Sequence, residues 1–181
     1  MNKISFSKYL AYLLRHHPEE ENLNMDRHGW VEVKELMHLI SFEDLKNIVE
    51  TDNKQRYSFN EDMSKIRANQ GHSIDVDVEL EEKIPPDVLY HGSATRFLDS
   101  ILEQGLISKS RLYVHLSKDI ETAIKVGQRH GKVVILEINT KAMKEDNILF
   151  YLSKNNVWLT KYVDKKYLKV IDKRGCNKIV F

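Results

Sequence analysis

Midway along the chain lies a stretch, IDVDVELEEKIPP (residues 74–86), in which apolar and acidic side chains alternate and the run closes on a double proline. Period-two alternation is that of a strand, but acidic side chains and proline suit only an exposed edge or a tether. The stretch therefore separates two regions: residues 1–75, with a helical rhythm, and residues 84–181, rich in short β-prone runs, with residues 76–83 as linker. At 181 residues the chain is long enough for one ordinary domain or two small ones, and 41% hydrophobic content is sufficient to build a core.

In the first region, SFSKYLAYLLRHHP (residues 5–18) places Phe6, Tyr9, Leu10, Leu13 and Leu14 at i, i+3, i+4, i+7 and i+8. That is the apolar stripe of a helix packed on a core. Ser5 or Ser7 is placed to cap its start, and Pro18 ends it near His16. Arg15 and His16 thus stand where a rigid element runs out. Cations at a helix C-terminus complement the macrodipole, and a pair of them there can also hold an anion. Next come a turn at Asp26, Arg27, His28 and Gly29, an amphipathic helix carrying Val33, Leu36, Met37 and Ile40, and a helix capped by Ser41. A strand over 55–59, a turn over 60–62 and a strand over 66–68 complete a winged-helix order.

The second region changes rhythm. A strand over 88–90 is expected to stop at His91, Gly92 and Ser93, and a helix through Phe97, Leu98, Ile101 and Leu102 to close at Gly105. A strand over 112–116 leads to Ser117 as a helix cap, and that helix breaks between Gly127 and Gly131. Four further β-rich runs follow, over 133–138, 148–152, 157–163 and 168–171. The fold class is α+β, with a split or curved sheet in this second part.

Composition excludes several classes. No run approaches the roughly 20 apolar residues of a membrane span, and the start lacks a signal-peptide pattern, so a cytoplasmic protein, with no membrane partner, is expected. Cys176 is the single cysteine, which excludes an internal disulfide and a thiolate metal cluster. Eight histidines show neither HExxH nor paired spacing, and His16, His17 and His130 adjoin arginines that would repel a cation, so no metal is expected. Neither GxGxxG nor GxxxxGK[ST] occurs. Overall charge is +1, yet residues 1–75 carry net −3, residues 76–82 net −4 and residues 83–181 net +8. A polyanion would meet the second region broadly, and the first only through chosen residues.

What stands out is a set of arginines where elements end or turn: Arg15, Arg56 in DNKQRYSF, Arg111 in KSRLYVHLS and Arg129 in GQRHG. Guanidinium groups grip phosphate bidentately and stay charged, so several of them with one histidine suit phosphate recognition and stabilisation of charge developing on phosphorus. Each alone could equally be a surface ion pair. Their convergence on one phosphate is the spatial expectation.

The segments LLRHHP, DRHGWVEVKEL, DNKQRYSF, IRANQGHS, LYHGSATRFLDSILEQGL, RLYVHLSKD, VGQRHGKVVIL and NNVWLT, in this order, closely resemble the Tpt1/KptA family of RNA 2'-phosphotransferases over roughly residues 5–171. The resemblance implies a winged-helix-like N-terminal lobe and a C-terminal lobe of the ADP-ribosyltransferase fold. It implies NAD+ as consumed co-substrate and a 2'-phosphorylated RNA as partner, such as a tRNA splice junction. The internal 2'-phosphate attacks the ribose C1'' of NAD+ and releases nicotinamide. The ribose O2'' then attacks the phosphorus of the ADP-ribosylated phosphate, giving 2'-OH RNA and ADP-ribose 1'',2''-cyclic phosphate. Matched motif by motif, the family's Arg-His-Arg-Arg set falls on Arg15, His16, Arg56 and Arg111.

The same resemblance places the dinucleotide on the C-terminal lobe at His91, Gly92 and Ser93, with His91, His115 and Val157 as its His-His-apolar signature and Ser117, Gly127 and Arg129 as pyrophosphate or adenosine contacts. A helix cap, a helix stop and a surface arginine are the plain structural readings of those last three. His16 could orient phosphate or transfer a proton. Gln70, Gly71, His72 and Ser73 could touch substrate or simply shape the wing. The chain departs from the family pattern in HGS where HGT is common, in NNVW where NGVW is usual, and in a short segment between the second and third helices. A basic tail over 172–181 lies outside the match. Other readings are ADP-ribosylation of a terminal nucleic-acid phosphate without the second step, and a non-enzymatic winged-helix nucleic-acid binder, against which the acidic first region argues. A monomer is expected.

Overall fold

A computed structural model describes residues 3–171, so Cys176 and the basic tail lie outside the described residues. These form two compact units. The first comprises the chain up to Leu80 together with Ser110–Leu112 and Ser153–Asn155; the second comprises Glu81–Lys109, Tyr113–Leu152 and the residues from Asn156 onward.

The first unit opens with helix α1 (Lys3–Arg15). Its stripe is core: Leu10, Leu13 and Leu14 are fully buried and Phe6 nearly so. The helix is already under way at Ser5 and Ser7, so neither caps it; instead the Ser7 carbonyl accepts from the Tyr57 hydroxyl. Pro18 begins a 3-10 turn, Pro18–Glu21, which is tied back to α1 where Tyr12 Oη donates to Glu20 over 2.6 Å. A turn follows in which Asp26 Oδ1 accepts the backbone N–H of His28 and of Trp30, with Gly29 at φ +78°.

Strand β1 (Val31–Glu32) comes next, and the expected helix over 33–40 shrinks to a 3-10 turn, Val33–Leu36. The reason is local. The Val33 N–H is still bonded to the Ser64 carbonyl beside the sheet, and too few residues remain before the next helix to nucleate another. Helix α2 (Phe42–Thr51) starts at the expected cap, where Ser41 Oγ accepts from the Asp44 N–H and donates to the Asp44 carboxylate. Strands β2 (Tyr57–Phe59) and β3 (Lys65–Ala68) form the hairpin, and the antiparallel order is β1-β3-β2. Leu36, Leu45, Val31, Ile66 and Ala68 close the core over α1.

The second unit holds β4 (Glu81–Glu82), β5 (Val88–Ala94), α3 (Leu98–Gln104), β6 (Leu106–Ile107), β7 (Val114–Leu116), α4 (Ile120–Gly127), β8 (Val133–Asn139), α5 (Thr140–Glu145), β9 (Tyr151–Leu152), β10 (Trp158–Thr160), β11 (Tyr162–Val163) and β12 (Leu168–Ile171). Three small antiparallel sheets result, ordered β12-β8-β5, β4-β9-β10-β7 and β11-β6. Strand β5 does not stop at His91: His91, Gly92 and Ser93 pair with Leu136, Ile135 and Val134, because glycine and serine leave the ladder with β8 unbroken. Ser117 does not cap α4. Asp119 does, accepting from the Thr122 N–H over 2.7 Å, while Ser117 exchanges backbone hydrogen bonds with Tyr90. The run over 157–163 is split into β10 and β11, and the run over 148–152 yields only β9. Leu89, Leu136, Ile138, Met143 and Phe150 are fully buried at the centre of this unit. No described helix is long and apolar enough to cross a membrane.

Candidate active site

In the first unit, three stretches distant in sequence bring together four of the expected residues. Arg15 is the last residue of α1. Its Nε and Nη2 are buried with no hydrogen-bond partner. Buried polar groups are nearly always satisfied, so the two unmatched guanidinium donors leave Arg15 able to take an acceptor. Burial lowers the Arg15 pKa to about 10; Tyr57 opposes the shift, and the charges of Arg111 and Arg56 add to it. The group stays cationic at neutral pH, held against its own desolvation and two like charges.

His16 follows. Its Nδ1 lies 2.8 Å from Ser73 Oγ. Burial is the first cause lowering its pKa, followed by the charges of Arg15 and Arg111, so the neutral imidazole is favoured near neutrality. Arg111 is exposed, and although it lies far along the chain, the Ser110–Leu112 segment belongs to the first unit. Arg56 is aimed by Asp52, whose carboxylate accepts both the Arg56 backbone N–H, over 2.6 Å, and the guanidinium Nη1. Gln55, at φ +44°, turns the chain between them. Sequence reasoning gave Asp52 no role, and named Ser73 only as a residue that could touch substrate or shape the wing. Asp52 opens the DNKQRYSF segment four residues before Arg56, and that place in the motif was the available signal, as the QGHS segment was for Ser73.

The second unit gathers most of the other group. His91 Nδ1 lies 2.9 Å from the His115 carbonyl. A carbonyl only accepts, so Nδ1 carries the hydrogen, and burial holds the pKa of the ring low. The neutral ring therefore presents Nε2 as an acceptor. Ser117 is joined to Tyr90, the residue before His91, and Val157 immediately precedes β10, which pairs with the strand carrying His115. Gly92 and Gly127 let α4 lie directly on β5. A Cβ on Gly92 would stand 1.7 Å from the Ala123 carbonyl, and one on Gly127 2.9 Å from the Ser93 carbonyl. Ser93 is buried under that contact. Arg129 is exposed on the 3-10 turn that follows α4, next to His130, whose charge acts on His91.

Two kinds of comparison bear on this arrangement. The model of the family described as RNA 2'-phosphotransferase, Tpt1 / KptA family, matches residues 1–162. A probable RNA 2'-phosphotransferase of Fusobacterium nucleatum is 51% identical over 176 residues, covering 93% of this chain and 98% of that protein. Probable RNA 2'-phosphotransferases of Hahella chejuensis and Acaryochloris marina are 50% and 48% identical, covering 93% and 92% of this chain and 94% and 96% of theirs. The match includes Arg15, His16, Arg56 and Arg111, and the chain belongs to the Tpt1/KptA family of RNA 2'-phosphotransferases.

Proposed function

We infer that this chain removes an internal 2'-phosphate from RNA with NAD+ as consumed co-substrate, yielding 2'-OH RNA, nicotinamide and ADP-ribose 1'',2''-cyclic phosphate. Its first unit is read as a winged-helix-like lobe and its second as an ADP-ribosyltransferase-like lobe. The observation that carries the reading is the pair of buried, unpartnered Arg15 nitrogens set among Arg56, Arg111 and His16.

In this reading the 2'-phosphate takes the two free donors of Arg15, which would otherwise remain unsatisfied. Arg56, held by Asp52, keeps a fixed direction toward the same phosphate. Positioning of this kind is most of what a phosphate nucleophile needs, because it requires no deprotonation. A later attack by a hydroxyl at the phosphorus accumulates negative charge, which Arg15, Arg56 and Arg111 offset. The entering hydroxyl must lose a proton, and His16, kept neutral by burial and by its arginine neighbours, is able to accept it.

NAD+ supplies an electrophilic ribose carbon and nicotinamide as leaving group. The second unit's residues fit it: a neutral His91 with Nε2 as acceptor suits a ribose hydroxyl, and the apolar Val157 leaves no carboxylate beside a phosphate nucleophile that needs no base. The protein is tested by incubation with an oligonucleotide bearing one internal 2'-phosphate, with and without NAD+, followed by identification of products. Conversion to 2'-OH RNA and a cyclic phosphate only with NAD+ is expected. Equal conversion without NAD+, or a stable adduct as end product, overturns the reading.

A further inference from the structure

We propose that the Asn69, Gln70, Gly71, His72 and Ser73 segment is the strap that positions the phosphate-facing group, with Ser73 as the positioning residue that sets the tautomer of His16. The proposal rests on the reading of His16 given above.

The contacts of the strap reach Arg56, Arg15 and the neighbour of Arg111. The Asn69 N–H donates to the Arg56 carbonyl over 2.8 Å, and the Ser73 N–H donates to the Arg15 carbonyl over 3.0 Å. The His72 carbonyl accepts from the N–H of Leu112, the neighbour of Arg111, over 3.1 Å. Gly71 lies beneath the Arg15 side chain: a Cβ there would stand 3.5 Å from both Cζ and Nε, and its φ of +92° belongs to the region that favours glycine. Three stretches that meet nowhere else in sequence are thus registered against one short segment.

Ser73 adds a side-chain contact to this frame, 2.8 Å from His16 Nδ1. The Ser73 hydroxyl can play either part in this contact; with His16 Nδ1–H as the donor and Ser73 Oγ as the acceptor, Nε2 is left unprotonated and able to accept the proton of a hydroxyl attacking phosphorus. The opposite tautomer would present an N–H, useful for binding but unable to take that proton. Ser73 itself is exposed and contributes nothing to the core, so its substitution tests the orientation of His16 rather than the fold.

The test uses the full chain with Ser73→Ala, Ser73→Thr and His16→Ala. Ser73→Ala is expected to slow product release from the 2'-phosphorylated oligonucleotide by about tenfold to a hundredfold, with an unchanged melting temperature, and Ser73→Thr to restore most of the rate. In nitrogen-15 spectra the wild-type His16 ring should show a single tautomer with Nδ1 protonated, and Ser73→Ala a mixture. A wild-type rate in Ser73→Ala, or an unaltered tautomer signal, overturns the role of Ser73. Equal loss in Ser73→Ala and Ser73→Thr does so too, since rescue by the second hydroxyl is then absent. Full activity in His16→Ala instead overturns the underlying reading of His16, which keeps the two failures distinct.

Discussion

Arg15 shows what a buried cation costs the fold that carries it. Its buried nitrogens lack partners and its charge is opposed by two other arginines, so the group is held at some expense of stability. Arg15→Met, which keeps the volume and removes the charge, is therefore expected to raise the melting temperature by about 2–4 °C while lowering 2'-phosphate removal by at least about a hundredfold; calorimetry and a product assay on the same preparation check both. His72 gives a second residue-scale outcome. Burial, with the charges of Arg15, His16 and Arg67, lowers its pKa to about 4, and its Nε2 is buried without a partner. Above the ordinary histidine value of about 6.5 the ring is neutral whether folded or not. Below it the unfolded chain takes a proton that the folded ring refuses until about 4, so stability falls with acidification across that window, by up to roughly 3 kcal/mol. His16 and His91 are shifted the same way and add to the slope. Denaturant unfolding between pH 4 and 7.5 should show it, and His72→Leu should flatten it.

Helices and strands were legible wherever a repeating pattern set them, and not where a neighbour did. The stripe of α1 and the Ser41 cap of α2 are local and follow from spacing alone. The 3-10 turn at Val33–Leu36 was not legible, because it is a hydrogen bond from Val33 to Ser64, more than thirty residues on, that keeps the chain from coiling further. Strand β5 likewise runs through His91, Gly92 and Ser93 because β8 pairs with it there, against the weak strand propensity of glycine. Gly92 also shows an element-scale dependence: the backbone of α4 occupies the place of a side chain. Gly92→Ala would push Cβ into the Ala123 carbonyl, and a loss of at least roughly 3 kcal/mol is expected. Equilibrium unfolding of the variant measures it; a change below 1 kcal/mol would mean that α4 can lift from β5 freely.

At the scale of the whole molecule, Arg111 belongs by sequence to the basic second half but by packing to the acidic first unit, where Arg15 and His16 sense its charge. Arg56 and Arg111 are expected to matter most when charge accumulates on phosphorus, so Arg56→Ala and Arg111→Ala should let an ADP-ribosylated RNA build up rather than prevent its formation. Gel analysis of a time course distinguishes this from unchanged turnover. The sequence by itself determined the mixed helix-and-strand class and the family, and pointed to Arg15, His16, Arg56 and Arg111 as one group, because these reside in residue type and near-neighbour spacing. Only the tertiary structure decided that Arg111 joins Arg15, that Asp52 holds Arg56 and that one short segment is bonded to Arg15, His16, Arg56 and the neighbour of Arg111. Contacts between residues dozens of positions apart depend on how loops close over a packed core, and that closure leaves no periodic trace in the chain.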